Sequence, residues 1–115
     1  MVNAAYILST EGVAARVGSI GDNRLGGWIS YRAAKAAQNQ IVKTASLEIA
    51  RTHPAAIVVA LHPGTVATQL SHPFISGHQA TSPEEAAARL LATIERLQPH
   101  QSGGFFSYDG QSIAW

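Results

Sequence analysis

Apolar positions in this chain fall into two patterns, short unbroken runs and stripes spaced three or four residues apart, and the two alternate along the sequence. The run AAYIL at residues 4 to 8, closed by Ser9, Thr10 and Gly12, predicts a buried strand running into a turn. Glycines 12, 18, 21, 26 and 27, with Asp22 and Asn23, predict an irregular loop up to Gly27. From Ser30, a plausible N-cap, apolar residues at Ala33, Ala34, Ala37, Ile41, Ala45 and Leu47 or Glu48 follow the 3.6 period, predicting a long helix that ends near Arg51. The run AAIVVAL at 55 to 61 is β-branched and continuous, the pattern of a strand covered on both faces of a parallel sheet. Pro63, Gly64, Pro73 and Gly77 break up residues 62 to 81. A second helix then begins at Ser82, with Pro83 in its first position and Glu84 and Glu85 in its positive first turn. The stretch GGFFSYDG at 103 to 110 predicts a last short strand and a turn. Strand, helix, strand, helix, strand describes an α/β sheet with right-handed crossovers.

Composition narrows this picture. A chain of 115 residues is at most one domain, here residues 1–115, and 46% hydrophobic against 13% charged residues is a globular balance. So little charge points to extensive buried surface or a face meant for a partner. A net charge of +1 without runs of like sign leaves no electrostatic footprint for nucleic acid or anionic lipid. The amino-terminal run lacks a basic region and is too short to span a membrane, so no membrane association is expected. Without cysteine there is neither a disulfide framework nor a thiolate metal site, and cytoplasm is the expected location. Histidines 53, 62, 72, 78 and 100 do not pair at helical ligand spacing and have no acidic cluster beside them, so no metal is expected.

Chemistry concentrates in SYRAAKAAQN, residues 30 to 39. In a helix Tyr31 and Lys35 share a face about one turn apart, with Cβ atoms roughly 5 to 6 Å from each other. An ordinary phenol, with a pKa of about 10, is about 0.1% ionised at pH 7, and bringing that pKa down to about 7 needs about 4 kcal/mol of differential stabilisation. A neighbouring ammonium in a partly desolvated cleft can supply it. On spacing alone an exposed helix face is the commoner explanation of such a pair, so its context decides. That context is LHPGTVATQL, residues 61 to 70, directly after the second strand. The carboxyl end of a parallel strand is where open α/β sheets bind ligands, and Pro63-Gly64 lets the backbone pass close to a planar ring.

Together the Y-x-x-x-K helix and the P-G-x-V-x-T turn resemble the short-chain dehydrogenase/reductase family. VGSIGDNRLGGWISYRAAKAAQNQ, VALHPGTVATQL and GGFFSYDGQSIAW resemble its carbonyl-reductase-like subgroup, from about Ala4 to Trp115. The resemblance implies an oxidoreductase that uses NAD or NADP on a small carbonyl or alcohol substrate. It implies Tyr31 as proton donor to the carbonyl oxygen, Lys35 binding the nicotinamide ribose while lowering the tyrosine pKa, and Pro63, Gly64, Val66 and Thr68 on the cofactor. It also implies a homo-oligomer formed through the helix from Tyr31 to Arg51, whose alanine face permits close approach of another helix. The carbonyl-orienting serine of the family falls, by count, on Gly18. Ser19 is one residue off and is the favoured candidate, with a loop-capping role as its alternative; Ser9 and Thr10 are further candidates, and the subgroup's own position corresponds to Ala14 or Ala15.

The family's front half, a strand, a glycine-rich turn and a pyrophosphate-holding helix, has no counterpart here. ILSTEGVAARVG places Arg16 at the middle glycine of G-x-x-x-G-x-G and is followed by loop rather than helix. The expectation is therefore the C-terminal half of a Rossmann-type doubly wound parallel sheet, lacking the N-terminal dinucleotide-binding half, with Met1 falling where the middle of the sheet should be. Such a chain is expected to be inactive alone; the alternative is a non-catalytic fragment acting in interaction or signalling, or a truncated gene product. The aromatic tail residues Phe105, Phe106, Tyr108 and Trp115 are read as packing rather than pocket.

Overall fold

The computed structural model describes residues 4–6, 16–64 and 81–115. Strand β1 (Ala4–Tyr6) precedes helix α1 (Ile29–Ala50), strand β2 (Ile57–His62), helix α2 (Pro83–Arg96) and strand β3 (Phe105–Ser107), with 3-10 turns at Arg16–Gly18 and Pro99–Gln101. The strands lie in the order β1-β2-β3 and both pairings are parallel, Tyr6 opposite Val59 and Ala60 opposite Phe105. This is the predicted order of elements, forming part of a Rossmann-type sheet; Ile7, Leu8 and most of the expected loop after Gly64 lie outside the described residues.

The core follows from β2. Its side chains alternate between the two sheet faces, so a strand without polar positions must be covered twice. Val58 and Ala60 join Val42, Phe105 and Ile113 on one side, under Ala45 and Ile49 of α1. Ile57, Val59 and Leu61 join Leu97 and Phe106 on the other, under Leu90 and Ile94 of α2. The tail aromatics do pack: Phe105 and Phe106 are buried on opposite faces, and Trp115 stacks on Phe105 with ring centroids 5.4 Å apart.

Helix α2 starts as expected. The Ser82 hydroxyl accepts from the Glu85 amide at 3.2 Å, Pro83 occupies the first turn, and Glu84 and Glu85 complement the dipole there. Helix α1 departs from expectation at its start. Ser30 does not cap it: the helix begins at Ile29 behind Trp28, which is held in the left-handed region at φ 50, and the Arg32 amide donates to the Trp28 carbonyl at 2.8 Å to close the first turn. Its apolar stripe lies mostly on the outer face. Ala33, Ala34, Ala37, Ile41, Leu47 and Glu48 are exposed, whereas Asn39, Val42 and Ser46 are buried. The physical reason is proximity. The helix lies so close over the Arg16–Gly18 turn that a Cβ on Gly18 would stand 2.8 Å from the Lys35 carbonyl carbon, and close approach admits small side chains ahead of apolar ones. Ser46 is accommodated because its hydroxyl donates to the Lys43 carbonyl of its own helix at 2.6 Å. Among the described residues no helix is long and apolar enough to cross a membrane.

Two substitutions separate the core from the cap. Phe105→Ala, which empties a fully buried position against Trp115, is expected to cost about 3 to 5 kcal/mol. Ser82→Ala is expected to cost about 1 kcal/mol. Urea titration followed by circular dichroism reads both, and equal losses would show that the cluster around Phe105 is not the core.

Candidate active site

Parallel topology brings the chemically interesting segments to one end of the sheet. Helix α1 must run back along the sheet to reach the start of β2, so its amino terminus lies toward the carboxyl end of β2. Tyr31 therefore stands in the first turn of α1, and Pro63-Gly64 follow the last residue of β2, His62.

The structure brings Tyr31 and Lys35 together. The Lys35 ammonium is 5.8 Å from the centroid of the Tyr31 ring, within the range of a cation–π contact, and also donates to Gln38 Oε1 at 3.4 Å. Tyr31 is 51% exposed, so its hydroxyl can meet a solute, while Lys35 is half-buried. A phenol accessible from solvent with an ammonium against its ring can donate a proton to a bound oxygen and have the resulting negative charge stabilised.

Ser19 is placed otherwise. It is buried, its hydroxyl donates to the Ala114 carbonyl and accepts from the Asp22 amide at 3.0 Å, and so it ties the loop to the carboxyl-terminal segment. This is the capping role rather than an open hydroxyl. Ser9, Thr10, Ala14 and Ala15 lie outside the described residues, as do Val66 and Thr68. Gly64 adopts φ 78, and a Cβ there would come within 2.9 Å of the Tyr108 ring. The ring packed against this glycine is the chain's own Tyr108, and the Arg89 guanidinium lies 5.4 Å from the centroid of that ring.

Three features carry no motif. Arg32 braces the loop before α1, donating to the carbonyls of Gly27 (Nε, 2.9 Å), Gly26 (3.2 Å) and Val17 (3.4 Å). His62 Nδ1 accepts from the Arg16 amide at 3.3 Å, joining the end of β2 to the same loop. Asn39, one turn beyond Lys35, is 3% exposed and neither atom of its amide has a hydrogen-bond partner. An arginine five residues after a double glycine is the signal that could have marked the first; the other two have none. Arg16 also pairs with Asp22 at 2.7 Å, and this hydrogen bond and charge hold the Asp22 carboxyl below the usual carboxylate range. The pair is exposed, and its contribution is present at neutral pH and lost as pH falls through that lowered range.

No protein-family model matches the chain. Among curated relatives it is 42% identical, over 103 residues, to 1-hydroxy-2-glutathionyl-2-methyl-3-butene dehydrogenase of Rhodococcus sp. strain AD45, a match covering 90% of this chain and 45% of that protein. Among solved structures it is similar to the carbonyl reductase Sniffer of D. melanogaster, with TM-score 0.79 and 30% identity over 97% of this chain and 41% of that one. The NADPH-bound carbonyl reductase from chicken fatty liver superimposes with TM-score 0.74 and 29% identity over 97% of this chain and 42% of that one. The homologues are oxidoreductases of the short-chain dehydrogenase/reductase family, and this chain corresponds to part of such a protein. It is similar to carbonyl reductases, and it spans less than half the length of these relatives.

The contact between α1 and the Arg16–Gly18 turn yields two opposite expectations. Gly18→Ala sets a methyl against the Lys35 backbone, which cannot rotate away, and should destabilise by about 1 to 3 kcal/mol. Asn39→Leu removes a buried amide without partners and should leave stability unchanged or raise it by about 1 to 3 kcal/mol. Thermal unfolding of both variants checks the pair; a large loss in Asn39→Leu would mean that the amide is paired in solution.

Proposed function

We propose that this chain is the catalytic portion of an NAD(P)-dependent oxidoreductase acting on a small carbonyl or alcohol substrate, with Tyr31 as proton donor and Lys35 as its partner. The observation that carries this reading is the Lys35 ammonium set against the ring of an accessible Tyr31 at the ligand-binding end of the sheet. In the reductive direction the Tyr31 hydroxyl hydrogen-bonds the carbonyl oxygen and gives it the proton that completes the alcohol. Lys35 stabilises the phenolate left behind, which regains a proton from solvent.

The donor set fits the nicotinamide end of a dinucleotide: an ammonium able to bond ribose hydroxyls, and a Pro63-Gly64 turn leaving β2. Val66 and Thr68 follow this turn in sequence and would hold the carboxamide and a nearby phosphate. A bound nicotinamide supplies the hydride. Among the described residues no G-x-x-x-G-x-G turn joins a strand to a helix that could hold the pyrophosphate, which supports the view that the chain alone binds dinucleotide weakly or not at all. Ser19, with its hydroxyl committed to Ala114 and Asp22, is a weak candidate for orienting the carbonyl.

The same reading includes self-association through α1. Its outer face presents Ala34, Ala37 and Ile41, the last at 61% exposure, an apolar stripe with small residues that lets a second helix come close.

Activity is tested on the chain fused behind the amino-terminal part of the Rhodococcus relative. Tyr31→Phe is expected to lower kcat by at least about 100-fold and Lys35→Ala by about 10-fold or more; unchanged rates in Tyr31→Phe would remove this residue from the mechanism. Fluorescence titration of the 115-residue chain with NADH and NADPH should show no micromolar binding. Ile41→Glu, placing a charge on the exposed stripe, is expected to shift the sedimentation profile toward monomer, and an unaltered profile would locate any association elsewhere.

A further inference from the structure

Gly64, where the chain leaves β2, and Thr81, just ahead of α2, are each tied to one member of a single stacked pair, Tyr108 and Arg89. Gly64 stands at φ 78, and a Cβ there would come 2.9 and 3.1 Å from two ring carbons of Tyr108, so the ring lies against bare backbone. That ring has little freedom. The Arg89 guanidinium, 5.4 Å from its centroid and in cation–π range, also donates to the Thr81 hydroxyl at 3.4 Å. The buried Thr93 hydroxyl donates to the Tyr108 carbonyl at 2.5 Å, and the Gly110 amide donates to the Ser107 carbonyl at 2.9 Å, which fixes the backbone around the ring. Core packing does not explain this hold, because Tyr108 is only half-buried and belongs to neither apolar cluster.

We propose that Tyr108 is a positioning residue for the cofactor: its ring, steadied by Arg89, supports the Pro63-Gly64 turn and fixes how far that backbone stands out from the end of β2 toward a nicotinamide ring. The inference rests on the reading of this turn as part of a dinucleotide site, and adds what holds it in place. A glycine lets the turn take its left-handed form but gives it no stiffness. The ring supplies what the missing side chain cannot. Stiffness matters here because a displacement of about 1 Å between reacting groups is enough to cost about 100-fold in rate.

A double-mutant cycle between positions 64 and 108 tests this in the fusion protein, with the Kd for NADPH read from nucleotide fluorescence. Tyr108→Ala is expected to raise Kd about 10-fold, and Tyr108→Phe, which keeps the flat face, to restore it to within about 2-fold of the parent. Gly64→Ala is expected to raise Kd at least about 5-fold more in the parent than in Tyr108→Ala, where its methyl group has room. The left-handed strain is common to both backgrounds and cancels. Effects at the two positions that simply multiply overturn the inference, as does an unchanged Kd in Tyr108→Ala or a Tyr108→Phe as weak as Tyr108→Ala. Should Tyr108→Ala fail to fold, Tyr108→Leu takes its place in the cycle and the same outcomes decide. Failure of the underlying reading shows separately: absence of NADH and NADPH binding in the parent fusion overturns both, whereas binding indifferent to position 108 overturns this inference alone.

Discussion

The structure depends on burying β2 on both faces. Ile57, Val59 and Leu61 point one way and Val58 and Ala60 the other, all nearly inaccessible to water. A strand with this composition cannot leave either face solvated, since each apolar side chain returned to water costs about 1.5 to 3 kcal/mol. One helix must therefore cover each face. With parallel strands, right-handed crossovers then set the direction in which α1 and α2 run. The location of the candidate site is a consequence: covering β2 with α1 carries the first turn of α1 to the end of the sheet where β2 releases the backbone into Pro63-Gly64.

Helix α1 meets three demands with three faces. Val42, Ala45 and Ile49 fill the core against β2. Around Lys35 and Asn39 the helix touches the Arg16–Gly18 turn closely enough to require a glycine there. Its outer stripe through Ile41 and Leu47 remains apolar and exposed. A helix with so little charged surface is poorly suited to stand in water, and the same economy of charge runs through the whole chain, 13% against a usual proportion of about a quarter. The approach to the helix shows the complementary device: a guanidinium spans three backbone carbonyls to hold a left-handed turn that no side-chain cap supports.

Where sequence reasoning succeeded and failed has a physical pattern. Order and type of the described strands and α-helices were legible, because unbroken β-branched runs and the Ser82-Pro83-Glu84-Glu85 start are signals that act locally, whereas the 3-10 turns were not. The entry to α1 was not. Ser30 has the chemistry of a cap, but the conformation of Trp28 starts the helix earlier, and a left-handed tryptophan is a state that residue preference opposes and that the Arg32 bonds to Gly26, Gly27 and Val17 brace. A periodicity of alanines on α1 likewise identifies a face without saying what lies opposite it. Ser19 illustrates the same limit in the site. One residue off the family's count, it could be read as an orienting hydroxyl or as a loop cap, and only the fold brings up the carbonyl 95 positions away, that of Ala114, which its hydroxyl meets.

The linear chain was sufficient for the alternation of strand and helix, for the two-faced burial of β2, and for the pairing of Tyr31 with Lys35, because each follows from spacing within a few residues: period two, period 3.6, and one helical turn. It was insufficient for the face that α1 presents, for the ring that fills the space beside Gly64, which is Tyr108, and for the strained turn that exposes Trp28. Those depend on contacts between residues far apart in sequence, and such contacts exist only once the sheet has assembled and brought the loop, the helix and the carboxyl-terminal segment within atomic reach of one another.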